Sequence, residues 1–428
     1  MSQIKSLFAR EIIDSRGVPT IEVEITLSSK YTDRASVPSG ASTGTFEAHE
    51  LRDGDNKRFF SKGVKKAVNF VNTEIKETIL GFDVTNQKEI DNTLIQLDGT
   101  GNKKRLGANS ILAVSLACAK VASKYLDTPL YKYIGGMQNS LPTPMMNIIN
   151  GGCHSNNKLD FQEFLIVPCG FKTFKESLRA GCEIFHSLKR LLSKNNFSTS
   201  VGDEGGFAPE ISSNRECLDL IIRAIEDSSY KPGENVFLAL DVAASEFFSN
   251  NKYMLDGESL SLDSESTIKY YENLINNYPI ISIEDGLDEN DWIGWTNLTS
   301  ELGNRCQLVG DDLFVTSSKR LKTGIKKKSA NSILIKPNQI GTLTETIETI
   351  ELAQKNNFNT IISHRSGETE ETFISDFSVG ISSGQIKTGS LSRSERIAKY
   401  NQLLRIEDRD NTINFSGKSP FQKYLNDK

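Results

Sequence analysis

The stretch NSILIKPNQIG, Asn331 to Gly341, sets an apolar run directly against a charge. Ile333, Leu334 and Ile335 read as a short buried strand. Lys336 ends it, and Pro337 opens a polar turn. The same pattern recurs along the C-terminal two thirds of the chain: VFLALD ends at Asp241, IISIED carries Glu284, CQLVGDD carries Asp311, TIISHR carries His364 and GQIK ends at Lys387. From Asp241 through Lys336 to Lys387, successive separations are 43, 27, 25, 28 and 23 residues. Amphipathic segments fill several of the gaps; Leu343, Ile347, Ile350 and Ala353 share one helical face, as do Phe174, Leu178, Phe185, Leu188 and Leu192. Strand, charged end, helix, strand is the rhythm of an α/β protein built on a parallel β/α barrel. An open doubly wound sheet has similar units. The barrel is preferred because it brings every strand's C-terminal end to one mouth, where a terminal lysine points into a shared pocket.

The chain has 428 residues, which suits two domains. Before the recurrent pattern, TIEVEITL (Thr20 to Leu27) alternates as a half-buried strand does, and GANSILAVSLACAKVASKYL (Gly107 to Leu126) reads as a helix buried on most sides. Glycine and proline punctuate Tyr133 to Pro144. The expected division is an N-terminal α+β capping domain, 1–138, and a C-terminal barrel, 139–428.

Composition narrows the function. Net charge is −5, with no nucleic-acid footprint, so no direct nucleic-acid partner is expected. No apolar run reaches the roughly 18 residues of a membrane helix, and the N-terminus has no signal-peptide core. No membrane partner and a cytoplasmic location are expected. Six cysteines lack C-x-x-C spacing, which speaks against zinc or a redox dithiol. Cys153 adjoins His154, but sequence neighbours rarely aim side chains at one another.

Asp241, Glu284 and Asp311 each close an apolar run. Gathered at one mouth, three carboxylates repel unless a cation neutralises them, and an all-oxygen set suits Mg²⁺. Any one of them alone reads more readily as a helix cap or a solvated acid; three at successive strand ends reverse that preference. Lys336, desolvated beside such a site, is expected to have a lowered pKa and serve as a general base; snorkelling at the rim is the alternative. Lys387 adds a second cation. Arg365 offers a planar fork to a phosphate or carboxylate, with Ser366 beside it. Glu204 precedes two glycines in VGDEGGFAP, Gln162 and Glu163 lead into an apolar run, and His154 lies in a glycine-rich loop. The loop Val37 to Gly44 suits a mobile lid and also spells G-x-S-x-G around Ser42; the charged segment after it does not suit a nucleophile elbow.

Taken together, DSRGVPTIEVEI, PSGASTG, ELRDGD, NIINGGCH, QEFLIVP, VGDEGGFAP, SIEDGLDENDW, LVGDDLFVT, SILIKPNQIGTLTE, SHRSGETEE and GQIKTGSLSRSERIAKYNQLLRIE resemble the enolase family, in its bacterial form, from about Ile4 to Glu407. The resemblance implies a hydro-lyase of glycolysis that interconverts 2-phosphoglycerate and phosphoenolpyruvate with two Mg²⁺ per site. It implies Lys336 as base and Glu204 as the acid for the departing hydroxyl. It implies His154, Gln162, Glu163, Lys336, Arg365, Ser366 and Lys387 as substrate contacts. Asp241, Glu284 and Asp311 match ligands of one Mg²⁺, and Ser42 a ligand of the second. Such sites, with a Lys or His base and one or two Mg²⁺ on an ene-diolate, are a known pattern. It further implies a homo-oligomer, a dimer or an octamer of dimers, with RNA-degrading assemblies and a secondary cell-surface or secreted pool as additional roles. Val18, where asparagine is expected, and Ser155–Asn156 depart from the family pattern.

Overall fold

The computed structural model describes residues 1–40, 44–136, 139–155, 157–211 and 213–425. Ser42, the expected second-cation ligand, lies outside them. Strands β1 (Ile4–Ile13), β2 (Pro19–Leu27) and β3 (Thr32–Ser36) form an antiparallel sheet in that order. On β2, Ile21, Val23, Ile25 and Leu27 are fully buried. The intervening Glu22 is also covered, because Arg10 of β1 reaches its carboxylate at 2.7 Å. Helix α1 (Ala108–Tyr125) packs on β2 and β3, and its other side meets the short helix that follows Lys336. Fifteen of its residues are buried, so its small side chains on every face have a structural reason.

Eight strands close the barrel: β4 (Thr143–Asn150), β5 (Glu163–Val167), β6 (Phe237–Asp241), β7 (Ile280–Glu284), β8 (Gln307–Gly310), β9 (Ser332–Ile335), β10 (Asn359–Ser363) and β11 (Gly384–Lys387). The molecule is thus α/β, a barrel beside an α+β cap. The all-parallel expectation fails at one strand. β5 runs antiparallel to both β4 and β6, and the other pairs are parallel. The reversal puts the first residue of β5, not its last, at the mouth.

Several surrounding helices start on a Ser/Thr-x-x-Glu signature, in which the hydroxyl accepts from the amide three residues on. Thr173 does so for Glu176 (3.1 Å), Ser213 for Glu216 (3.4 Å) and Thr342 for Glu345 (3.2 Å). The barrel interior is packed with Met145, Leu165, Ala239, Ile281, Val309, Leu334 and Ile361. At the end opposite the mouth, Gln307 and Gln385 exchange amide hydrogen bonds at 2.9 Å. Phe421 and Tyr424 of the C-terminal tail join the same apolar cluster. The tail is tied down by Asn359 donating to the Pro420 carbonyl (2.9 Å) and Thr143 to that of Gly417 (2.7 Å). It plugs the floor of the barrel. Among the described residues no helix is long and apolar enough to cross a membrane.

Candidate active site

Strand register builds the mouth. Glu163 pairs with Asp241 across β5 and β6, Asp241 with Glu284 across β6 and β7, and Ser363 with Lys387 across β10 and β11. Lys336 follows the last residue of β9 with φ −125° and ψ 104°. The ring of a following proline forces its predecessor extended, and proline is well suited to a first helical position. The strand therefore stops at Lys336 and the chain turns into the helix Pro337–Ile340.

The Lys387 ammonium lies 2.8 Å from Asp241 Oδ2, 3.0 Å from both Glu284 oxygens and 3.2 Å from Glu163 Oε2. All four residues are buried. One cation surrounded by carboxylate oxygens from three strands marks a donor set suited to a hard divalent ion. The donor chemistry fits Mg²⁺, with the lysine standing where positive charge is required. Gln162 Nε2 reaches Asp241 Oδ2 at 3.4 Å. Burial, and then repulsion from Asp241, push Glu284 well above the usual carboxylate range. Asp311 lies close enough to add to that repulsion. It is ion-paired to Lys336 and accepts from Gln339 at 2.9 Å. Burial opposes its charge, but Lys336, Arg365 and Gln339 together outweigh burial and hold Asp311 low.

The same pairing corrects the expectation for Lys336. Burial alone would lower its pKa, yet the charges of Asp311 and Glu284 together outweigh burial and raise it.

Asp311 also stands with Asp285 and Asp312, with one ligand atom of each within 4.8 Å of the others. Asp285 accepts from the amides of Asp311 (3.0 Å) and Asp312 (2.8 Å). Burial and the neighbouring acids push Asp312 to about 8.

On the opposite wall, His154, Glu163 and Glu204 form a second such group. His154 Nδ1 lies 3.6 Å from Glu163 and 3.7 Å from Glu204. Asn147 donates to Glu204 Oε2 at 3.1 Å, and His364 Nε2 faces the same oxygen at 3.5 Å. Burial, and then the Glu204 charge, raise Glu163 well above the carboxylate range. Glu204 moves the other way: burial would raise it, but His364, His154 and Arg396 together hold it low. The surroundings thus push the two carboxyls apart, Glu163 up and Glu204 down.

Arg365 and Ser366 complete the mouth. Both Arg365 Nη atoms bond Glu47, at 3.0 and 3.1 Å, and Nη1 also reaches Asn338 at 3.2 Å. Arg16 Nη1 donates to Ser366 Oγ at 3.4 Å. Ser39 and Gly367 exchange two backbone hydrogen bonds of 2.8 Å. The N-terminal sheet and the residues flanking 41–43 are thereby fastened across the barrel mouth. Cys153 does not pair with His154. Its thiol faces Glu246 at 3.2 Å, and burial plus that carboxylate push it up to about 11, which leaves no thiolate to attack.

One pocket is thus lined by His154, Gln162, Glu163, Glu204, Asp241, Asp311, Lys336, Arg365, Ser366 and Lys387, with Glu284 bonded to Lys387 beside it. Sequence reading missed Glu47, Asp285, Asp312, Asn147 and Arg16. Glu47 sits in a segment whose only legible feature is its charge; Asp312 and Asp285 adjoin Asp311 and Glu284, and that adjacency is the available signal.

The fold and the mouth define a β/α-barrel protein whose capped pocket joins lysines and an arginine to carboxylates able to hold a metal ion. The chain matches the models for the enolase N-terminal domain over residues 4–134 and the enolase C-terminal TIM barrel domain over residues 138–424. It belongs to the enolase family.

Proposed function

We propose that this chain catalyses the reversible, Mg²⁺-dependent dehydration of 2-phosphoglycerate to phosphoenolpyruvate. What supports this reading above all is the placement of Lys336 after β9 and Glu204 on the far wall, with Lys387, Arg365 and the acids in the same pocket. A proton next to an ionised carboxylate is weakly acidic, because its removal adds charge to an anion. Lys336 accepts that proton. Glu204, recharged by a proton from Glu163, protonates the departing hydroxyl, so a carbon–hydrogen and a carbon–oxygen bond break, a double bond forms and water leaves. Arg365 and Ser366 receive the phosphate, with Glu47 releasing its hold on the guanidinium. Lys387 holds charge developing on the substrate carboxylate. Asp241, Glu284 and Asp311 would hold a divalent ion, with Ser42 serving a second; that ion would supply neutralisation of charge developing on the substrate, and Asp311 engaged as its ligand would leave Lys336 able to take the proton.

The ultraviolet absorbance of the enol phosphate tests the reading. It rises when the protein meets 2-phosphoglycerate with Mg²⁺, and not with the unphosphorylated acid. Equal turnover of the unphosphorylated acid would assign the pocket to a different dehydration.

A further inference from the structure

Arg396 is fully buried near the start of helix α2 (Ser394–Arg409), and a solvated role cannot explain it. Its Nη1 donates to the Arg365 carbonyl at 2.6 Å and lies 2.5 Å from His364 Nδ1. Its Nη2 donates to the carbonyls of Ser366 (2.6 Å) and Asp203 (3.2 Å). One guanidinium thus spans the loop after β10 and the loop that carries Glu204. The loop after β11 closes on it as well: Gly389 has φ +81°, a Cβ there would lie 2.8 Å from Arg396 Cδ, and the Ser390 amide bonds the Glu204 carbonyl at 2.9 Å.

A guanidinium donates and cannot accept. His364 Nδ1 is therefore an acceptor, and the ring proton resides on Nε2, the atom that faces Glu204 Oε2 at 3.5 Å. Burial, and the positive charges of Arg396, Lys387 and Lys336, keep the imidazole uncharged against the pull of Glu204. With the opposite tautomer, a lone pair would confront the carboxylate.

We propose that Arg396 is a positioning residue: it sets His364 as the Nε2–H tautomer that orients Glu204, and by clamping the Arg365 and Ser366 carbonyls it aims the anion-binding side chains. This rests on the role given above to Glu204. Arg396 itself touches no reacting atom.

Nitrogen-15 NMR of histidine-labelled protein tests it directly, because the sequence holds four histidines and the imidazole shifts report the tautomer without turnover. The wild type shows one imidazole fixed as Nε2–H, absent in His364→Gln, that does not titrate between about pH 6 and 8. Arg396→Met loses that fixed tautomer and drops kcat about 10- to 100-fold. Arg396→Lys keeps one donor for Nδ1, so it retains the tautomer and most of kcat, while KM rises as the carbonyl clamp is lost. A wild-type His364 protonated on Nδ1, or one that titrates in that range, overturns the proposal even if the methionine variant does not fold. So does an unchanged tautomer and kcat in Arg396→Met. A wild type with the expected tautomer that fails to dehydrate 2-phosphoglycerate supports the tautomer and overturns the functional reading instead.

Discussion

The ammonium of Lys387 lies 2.8 Å from the carboxylate of Asp241, with both oxygens of Glu284 at 3.0 Å around the same nitrogen. The mouth therefore already requires positive charge among its acids. Asp241→Asn is expected to lower Mg²⁺ affinity by at least the roughly 10–100-fold that loss of a supporting group costs a metal site. Calorimetric titration with Mg²⁺ reads this, and chelation should abolish turnover. Full activity in thorough chelation would remove the cation from the account.

Phe421 fills the barrel floor at 0% exposure, in a tail whose sequence is mostly polar. Phe421→Ala should destabilise the protein by about 3–5 kcal/mol, the usual consequence of emptying a buried phenylalanine site. Urea unfolding measures it. A change below about 1 kcal/mol would mean the tail is not a plug.

Asp376 is buried on the helix Phe373–Gly380 and accepts from Gln402 at 2.9 Å. Burial pushes its pKa up to about 6, against about 4 in the unfolded chain. The folded state therefore binds the extra proton between these values, and its contribution to stability falls as pH rises from about 4 to 6. The penalty is present in full above about pH 6. Asp376→Asn should stabilise the protein by about 1–3 kcal/mol at neutral pH, at ~1.4 kcal/mol per pKa unit, with the difference vanishing near pH 4. Unfolding of both proteins across that range checks the sign; a pH-independent difference contradicts it.

Much of the barrel could be read from apolar runs closed by Asp241, Glu284, Lys336 and Lys387, because a charge at a buried strand's end needs a shared pocket. Strand direction leaves less trace. FQEFLIV alternates alike in either sense, so the reversal of β5 went unread, although its acid stands at the start of the run while the others stand at the end. Register then puts Glu163 opposite Asp241. The raised pKa of Lys336 depends on its pairing with Asp311, a matter of geometry rather than residue type. Arg396 was equally invisible: it reads as one more basic residue on a helix, and its partners are carbonyls from distant loops.

The division of labour between Lys336 and Glu204 is the central claim, and exchange of the substrate's α-proton with deuterated water measures it most directly. Lys336→Ala should lose exchange and product formation together, by about 10²–10⁴-fold. Glu204→Gln should lose product formation to a similar extent while still exchanging the proton. Exchange at the wild-type rate in Lys336→Ala would contradict the account.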